Sequence, residues 1–195
     1  MKRIQMAAML LATSWLVAGC TEQENESSVA TTVEAVRHEQ NIEALTAVIE
    51  KEFTAPDTEI VRIKANLEEK LNEVHVPGQD LDFEAVEPEL REMDALMKER
   101  YSEHFTFEGF HAFATEKAFN HHEPNREYDL DVNSIEIIPH PNDPTRYTFT
   151  YVVKHEYADT KMEHQLEGRA TLPIAGKIDE IHFGDQYMLL VDTHD

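Results

Sequence analysis

Tyr147-Thr148-Phe149-Thr150-Tyr151-Val152-Val153-Lys154-His155-Glu156-Tyr157 carries the clearest two-residue period in the chain. Tyr147, Phe149, Tyr151, Val153, His155 and Tyr157 fall on one face, and Thr148, Thr150, Lys154 and Glu156 on the other, as a half-buried strand requires. A second alternating run follows at once: Met162, His164, Leu166, Gly168, Ala170 and Leu172 against Glu163, Gln165, Glu167, Arg169 and Thr171. A two-residue loop at Asp159-Thr160 joins the two as a hairpin. It sets Tyr157 opposite Met162, His155 opposite His164, Tyr151 opposite Gly168 and Thr150 opposite Arg169. Both apolar faces then coincide, so turn and pattern agree.

Outward from this hairpin, the period changes near Tyr128. Leu130 and Val132 alternate with aspartates, and Ile135 and Ile137 continue after an irregularity at Asn133-Ser134. Pro139 to Pro144 reads as a loop. On the other side, Ile174 to Gly176 is a turn, and Lys177 to Val191 supplies a last strand or two through Ile178, Ile181, Phe183, Met188 and Leu190.

Before residue 128 the spacing is helical. Ile42, Leu45, Ile49 and Phe53 recur every three or four residues from about Glu39, although a start as early as Ser28 is compatible with the sequence. Thr54-Ala55-Pro56-Asp57 interrupts and offers a cap for a second helix striped by Ile60, Ile63, Leu67, Leu71 and Val74. Pro77-Gly78 ends it. Residues 79 to 87 read as an acidic loop, and Pro88 as the first residue of a third helix with Leu90, Met93, Met97 and Tyr101 inward. Thr106 can cap a short helix carrying Phe107, Phe110 and Ala114 on one side. Phe105, Phe107, Phe110, Phe113 and Phe119 read as core. Helices first and an antiparallel meander of four or more strands afterwards predict an α+β domain over residues 39–195, with the N-terminal helices packed on a curved sheet.

The N-terminus places the domain. Lys2 and Arg3, an apolar run from Ile4 to Val17, then Ala18 and Gly19 have the layout of a secretory signal peptide, too short for a membrane span. Val17-Ala18-Gly19-Cys20 resembles the lipobox of bacterial lipoproteins. That resemblance implies removal of residues 1–19 and acylation of Cys20, palmitate included. The protein would then be a membrane-anchored lipoprotein facing outside the cytoplasm, at the outer membrane if the host is Gram-negative. Two acyl chains hold stably where one does not, and lipidation accounts for the only cysteine. Thr21 to Thr32 is polar and reads as a disordered tether. Residues 20–38 in that state reach roughly 20–25 Å.

Removing Lys2 and Arg3 with the signal lowers Lys+Arg from 17 to 15 against 39 Asp+Glu, a formal charge of −24. Such a chain is repelled by nucleic acid, which is excluded as a partner. With one cysteine no intramolecular disulfide can form, so packing alone must hold the fold.

Residues 95 to 190 resemble a nuclear transport factor 2-like (cystatin-like) domain. A helix ends in Tyr101, Thr106-Phe107-Glu108-Gly109-Phe110 opens a short helix, and long hairpins follow, one with a Gly176-Lys177-Ile178 turn. The resemblance implies a cone-like sheet with helices in its concave face. It also implies a cone used as a pocket in some relatives and interaction modules without chemistry in others, so fold alone does not choose. Dehydratases and isomerases of the family need a buried acid or base. The inward or rim residues here are Tyr147, Tyr151, His155, Tyr157 and His164, with Asp185 the nearest carboxylate. His155 and His164, close to the hairpin tip, read either as a solvated end that binds nothing or as a polar rim able to accept a ligand's hydrogen bond or a divalent metal. His104, His111 and His121-His122-Glu123 are dense in ligand types but match no zinc spacing. No cofactor, catalytic residue or metal site is assigned. The expectation is a non-catalytic module binding a small ligand or a protein partner, with an isomerase- or dehydratase-like enzyme and a divalent-metal-binding domain as alternatives.

Overall fold

The computed structural model describes residues 22–74, 83–124, 128–157 and 160–184. It contains helices α1 (Glu22–Phe53), α2 (Thr58–Val74), α3 (Phe83–Tyr101) and α4 (Phe107–Glu116), with a 3-10 turn at Ser102–His104. Strands β1 (Tyr128–His140), β2 (Asp143–Tyr157), β3 (Thr160–Thr171) and β4 (Glu180–Phe183) follow. They form an antiparallel sheet in the order β1-β2-β3-β4. The expected α+β class, with helices packed on a curved open sheet, is the class observed. Of the described residues, those before Arg37 fall in one compact unit and those from Arg37 on in another.

Helix α1 begins at Glu22, well ahead of Glu39, so the stretch read as a disordered tether contains helix. Polar side chains dominate there, and although Val29, Val33 and Val36 recur at helical spacing, Val33 and Val36 are exposed. Further along, α1 buries Asn41, Ala44, Leu45, Val48, Ile49, Glu52 and Phe53. This seam is wider than the expected one and contains two polar members. Asp57 caps α2, accepting from the N–H groups of Glu59 (2.9 Å) and Ile60 (3.3 Å). Helix α3 starts five residues before Pro88, which lies inside it. Val86, 1% exposed, is buried in that first turn, and Pro88 forfeits only one early intrahelical bond. Leu90 is 43% exposed instead of inward, and Val86, Leu96 and Tyr101 carry the buried side.

Thr106 caps α4 as expected, its hydroxyl accepting from the Gly109 N–H at 3.0 Å. Phe107 is 84% exposed, whereas Phe105 and Phe113 stack at 4.8 Å between ring centroids. Helix α4 therefore faces the core through Gly109 and Phe113, not through Phe107. A Cβ at Gly109 would come within 2.5 Å of the Ile178 carbonyl, so glycine permits this close approach.

In the sheet, β1 shifts register between Val132 and Ser134, where the irregularity was expected. The loop assigned to residues 139–144 is tighter, with β1 running to His140 and β2 starting at Asp143. Tyr157 pairs with Thr160, His155 with Met162, Val153 with His164, Tyr151 with Leu166 and Phe149 with Gly168. The expected register was thus two residues off. A shift of two leaves every side chain on its face, which is why the alternation could not expose the error. Gly168 has a specific use, because a Cβ there would overlap the Phe149 ring. The turn at Ile174–Lys177 forms as read, with Gly176 at φ +69°.

Candidate functional site

The inner face of β2 presents Tyr147, Phe149, Tyr151, Val153 and His155, all buried. Tyr147 ties α1 to this face: its hydroxyl accepts from Asn41 Nδ2 at 3.0 Å and lies 3.3 Å from His38 Nδ1. Asn41 in turn accepts the Gly176 N–H at 2.7 Å. His155 packs edge-on to Tyr128 at 5.5 Å and lies 5.9 Å from the His164 ring. The two histidines are therefore diagonal neighbours, not direct cross-strand partners as first expected. Tyr157 and His164 are half-buried, which suits a rim. Asp185 lies outside the described residues.

The carboxylate absent from the expected inner face comes from α1. Glu52 is 1% exposed. It accepts the Tyr101 hydroxyl (3.1 Å) and the Phe119 N–H (3.0 Å) at Oε2, and the Asn120 N–H (3.0 Å) at Oε1. Burial raises its pKa to about 7 against the pull of these three donors and of the Lys64 charge. Phe119 adopts φ +64° without being glycine, a strained backbone that persists only where surroundings enforce it. Successive N–H groups on either side of that residue converge on one carboxylate, and Lys64 Nζ holds the Phe119 carbonyl at 2.9 Å. Glu52 is the anchor of this turn.

Around Glu52 the space is aromatic. Phe53 lies 4.7 Å from Tyr151, 5.0 Å from Phe183 and 4.9 Å from His121 between ring centroids. Tyr151 is fully buried, and its hydroxyl has no hydrogen-bond partner among the described residues. Burial first, and then the Glu52 charge, raise its pKa. His122 accepts the Asp57 N–H on Nδ1 at 2.9 Å, which fixes the neutral tautomer with the proton on Nε2. Burial lowers its pKa to about 4 despite the nearby Asp57.

The histidines that look dense in the sequence disperse. His121 packs tilted against Phe53, His122 accepts the Asp57 N–H, His104 lies 3.2 Å from Lys51 Nζ, and His111 is exposed. Among the described residues no group of three or more His, Cys, Asp or Glu is placed to hold a metal ion. No described helix is long and apolar enough to cross a membrane.

Sequence reading missed Glu52. The available signal was its spacing, three residues after Ile49 and four after Val48, which puts it on the buried seam of α1. The chain matches no protein-family model, no curated protein and no solved structure.

Proposed function

We propose that the protein is an extracytoplasmic lipoprotein, anchored through Cys20, whose α+β domain is a binding module without chemistry of its own. The nuclear transport factor 2-like arrangement belongs to this reading. The observation that carries the non-catalytic part is Glu52. Its oxygens serve three donors of the chain itself, it supports the left-handed Phe119 turn, and it is 1% exposed. A general acid or base must reach a substrate proton, whereas this one is engaged and sealed. The anchoring part is supported by the charged start, apolar run and Val17-Ala18-Gly19-Cys20 of the sequence.

Two measurements test the two parts separately. Metabolic labelling with palmitate should mark the wild-type chain and not Cys20→Ser. Unmodified wild-type protein released into the medium would refute anchoring. Amide hydrogen exchange at Phe53, Phe119, Asn120 and Tyr151 should proceed only through global unfolding. Exchange through a low-energy local opening would expose Glu52 and Tyr151 to solvent and favour an isomerase-like enzyme instead.

A further inference from the structure

The opposite face of the sheet holds a cleft of about 280 Å³ lined by His140, Arg146, Thr148, Arg169, Thr171, Glu180 and His182 along with Tyr147 and Ala170. Strand register arranges most of these in two transverse rows. Arg146 pairs with Thr171 and Thr171 with Glu180; Thr148 pairs with Arg169 and Arg169 with His182. Arg146 and Arg169 are exposed and diagonal across β2 and β3, within reach of one another's side chains, with the two threonines between them.

Two guanidiniums side by side are costly unless something anionic joins them. Acids outnumber bases 39 to 17 in this chain, and its other described arginines are engaged. Arg37 donates to the Leu172 and Pro173 carbonyls, Arg62 pairs with Glu92, Arg91 with Glu87, and Arg100 with Asp57 and Glu59. Among the described residues, the side chains of Arg146 and Arg169 make no hydrogen bond or ion pair. Their charges, after the hydrogen bonds from Thr145 and His182, help to lower the pKa values of Asp143 and Glu180. The one acid lining the cleft, Glu180, is held by His182 at 2.6 Å, and nearby Asp143 is held by the Thr145 N–H and hydroxyl.

We propose that this cleft binds a small phosphate-bearing molecule, held by Arg146 and Arg169 with the Thr148 and Thr171 hydroxyls. Two donor forks and two hydroxyls exceed what a single carboxylate accepts, and a phosphate group offers three or more acceptor oxygens. The volume leaves room for a compact organic part beside the phosphate, and it falls near the lower end of ligand pockets. His140 and His182 flank the site and add positive charge when protonated. This assignment rests on the binding-module reading and names its ligand class. The phosphate could belong to a soluble ester or to a lipid headgroup at the anchoring surface.

The test uses the full chain in phosphate-free maltoside micelles, followed by amide NMR. One arm titrates inorganic phosphate and then glycerol 3-phosphate, with sodium chloride at equal ionic strength as control. A second arm replaces them with phosphatidylglycerol doped into the micelles. Saturable shifts confined to residues 146–148, 169–171 and 180–182 are expected. The first arm alone would indicate a soluble ligand, and the second alone a headgroup. Arg169→Gln and Arg146→Gln, both at exposed positions, should each weaken binding about tenfold or more while leaving the remaining spectrum unchanged. Shifts equal to those of sodium chloride in both arms, or binding untouched in the double variant, would overturn the proposal. That failure would leave the palmitate labelling and core hydrogen exchange as they were, so the two readings fail separately.

Discussion

Replacing Glu52 by Gln should change how stability depends on pH, and the sign follows from its environment. Burial lifts the folded-state pKa from 4.5 to about 7. Below 4.5 both folded and unfolded chains carry the proton, and Glu52 brings no penalty. Between 4.5 and about 7 the unfolded chain ionises while the folded one holds its proton, so stability falls as pH rises. Above about 7 the penalty is complete. At 1.36 kcal/mol per unit it amounts to about 3 kcal/mol. Glu52→Gln is neutral throughout. The difference in unfolding free energy, variant minus wild type, should therefore rise by about 3 kcal/mol between pH 4 and pH 8. The Gln amide must turn an NH2 toward one of the chain's own donors, at about 1–3 kcal/mol. That term is independent of pH and drops out of the slope.

His122 makes the comparison necessary. Its folded pKa is lowered to about 4 from 6.5. The unfolded chain therefore binds the extra proton over that interval, and stability rises with pH by a similar amount. In wild type the two trends oppose each other and flatten the profile. In Glu52→Gln the His122 rise should no longer be opposed by Glu52 between pH 4 and 6.5, and His104, whose pKa burial also lowers, adds to it in the same direction. Urea unfolding at half-unit steps measures both. Parallel profiles for variant and wild type would refute the assignment of Glu52 as a buried, high-pKa acid.

Other outcomes follow from the same contacts. Gly168→Ala should destabilise by about 1–3 kcal/mol, because the new methyl meets the Phe149 ring and lies 2.7 Å from the His182 carbonyl oxygen; an unchanged urea midpoint would contradict that packing. Asn41→Ala should cost about 1–3 kcal/mol by leaving the Tyr147 hydroxyl and the Gly176 N–H without this partner, and a neutral effect would mean water replaces it. With a net charge of −22 on the whole chain, melting temperature should climb between low and moderate sodium chloride as self-repulsion is screened. A flat curve would show that the acids are already paired locally.

The sheet was legible because each strand alternates over a long run, and the α2 and α4 caps because Asp57 and Thr106 sit at conventional positions. Strand register was not, since a slip of two residues keeps every side chain on its face while changing its cross-strand partner, and only the turn geometry distinguishes the alternatives. The early turns of α1 and α3 were hidden for opposite reasons. Residues 22–38 are mostly polar, with only the sparse run Val29, Val33 and Val36 at helical spacing, whereas Pro88 imitates a helix start although Val86 is already buried. Glu52 was the larger omission. An acid is ordinarily taken for solvent, and only its place beside Phe53 on the seam marks it as inward. Its partners, the Phe119 and Asn120 amides, lie 67 and 68 residues away and have no sequence signature. The outer cleft was invisible for the same reason, because Arg146 and Arg169 become neighbours only through pairing.

The link from Asn41 to Gly176 spans 135 residues, and that from Asn41 to Tyr147 spans 106. The sheet, by contrast, is a meander of consecutive hairpins, and its contacts are local. Loop-closure entropy therefore favours β1 to β4 assembling before α1 docks. The element translated first is then the last to find its place, and α1 must wait, with its apolar seam uncovered, until residue 176 has emerged. Asn41→Ala should accordingly speed unfolding and leave the folding rate nearly unchanged, a φ-value near zero. A value near one would instead make the opening helix part of the nucleus.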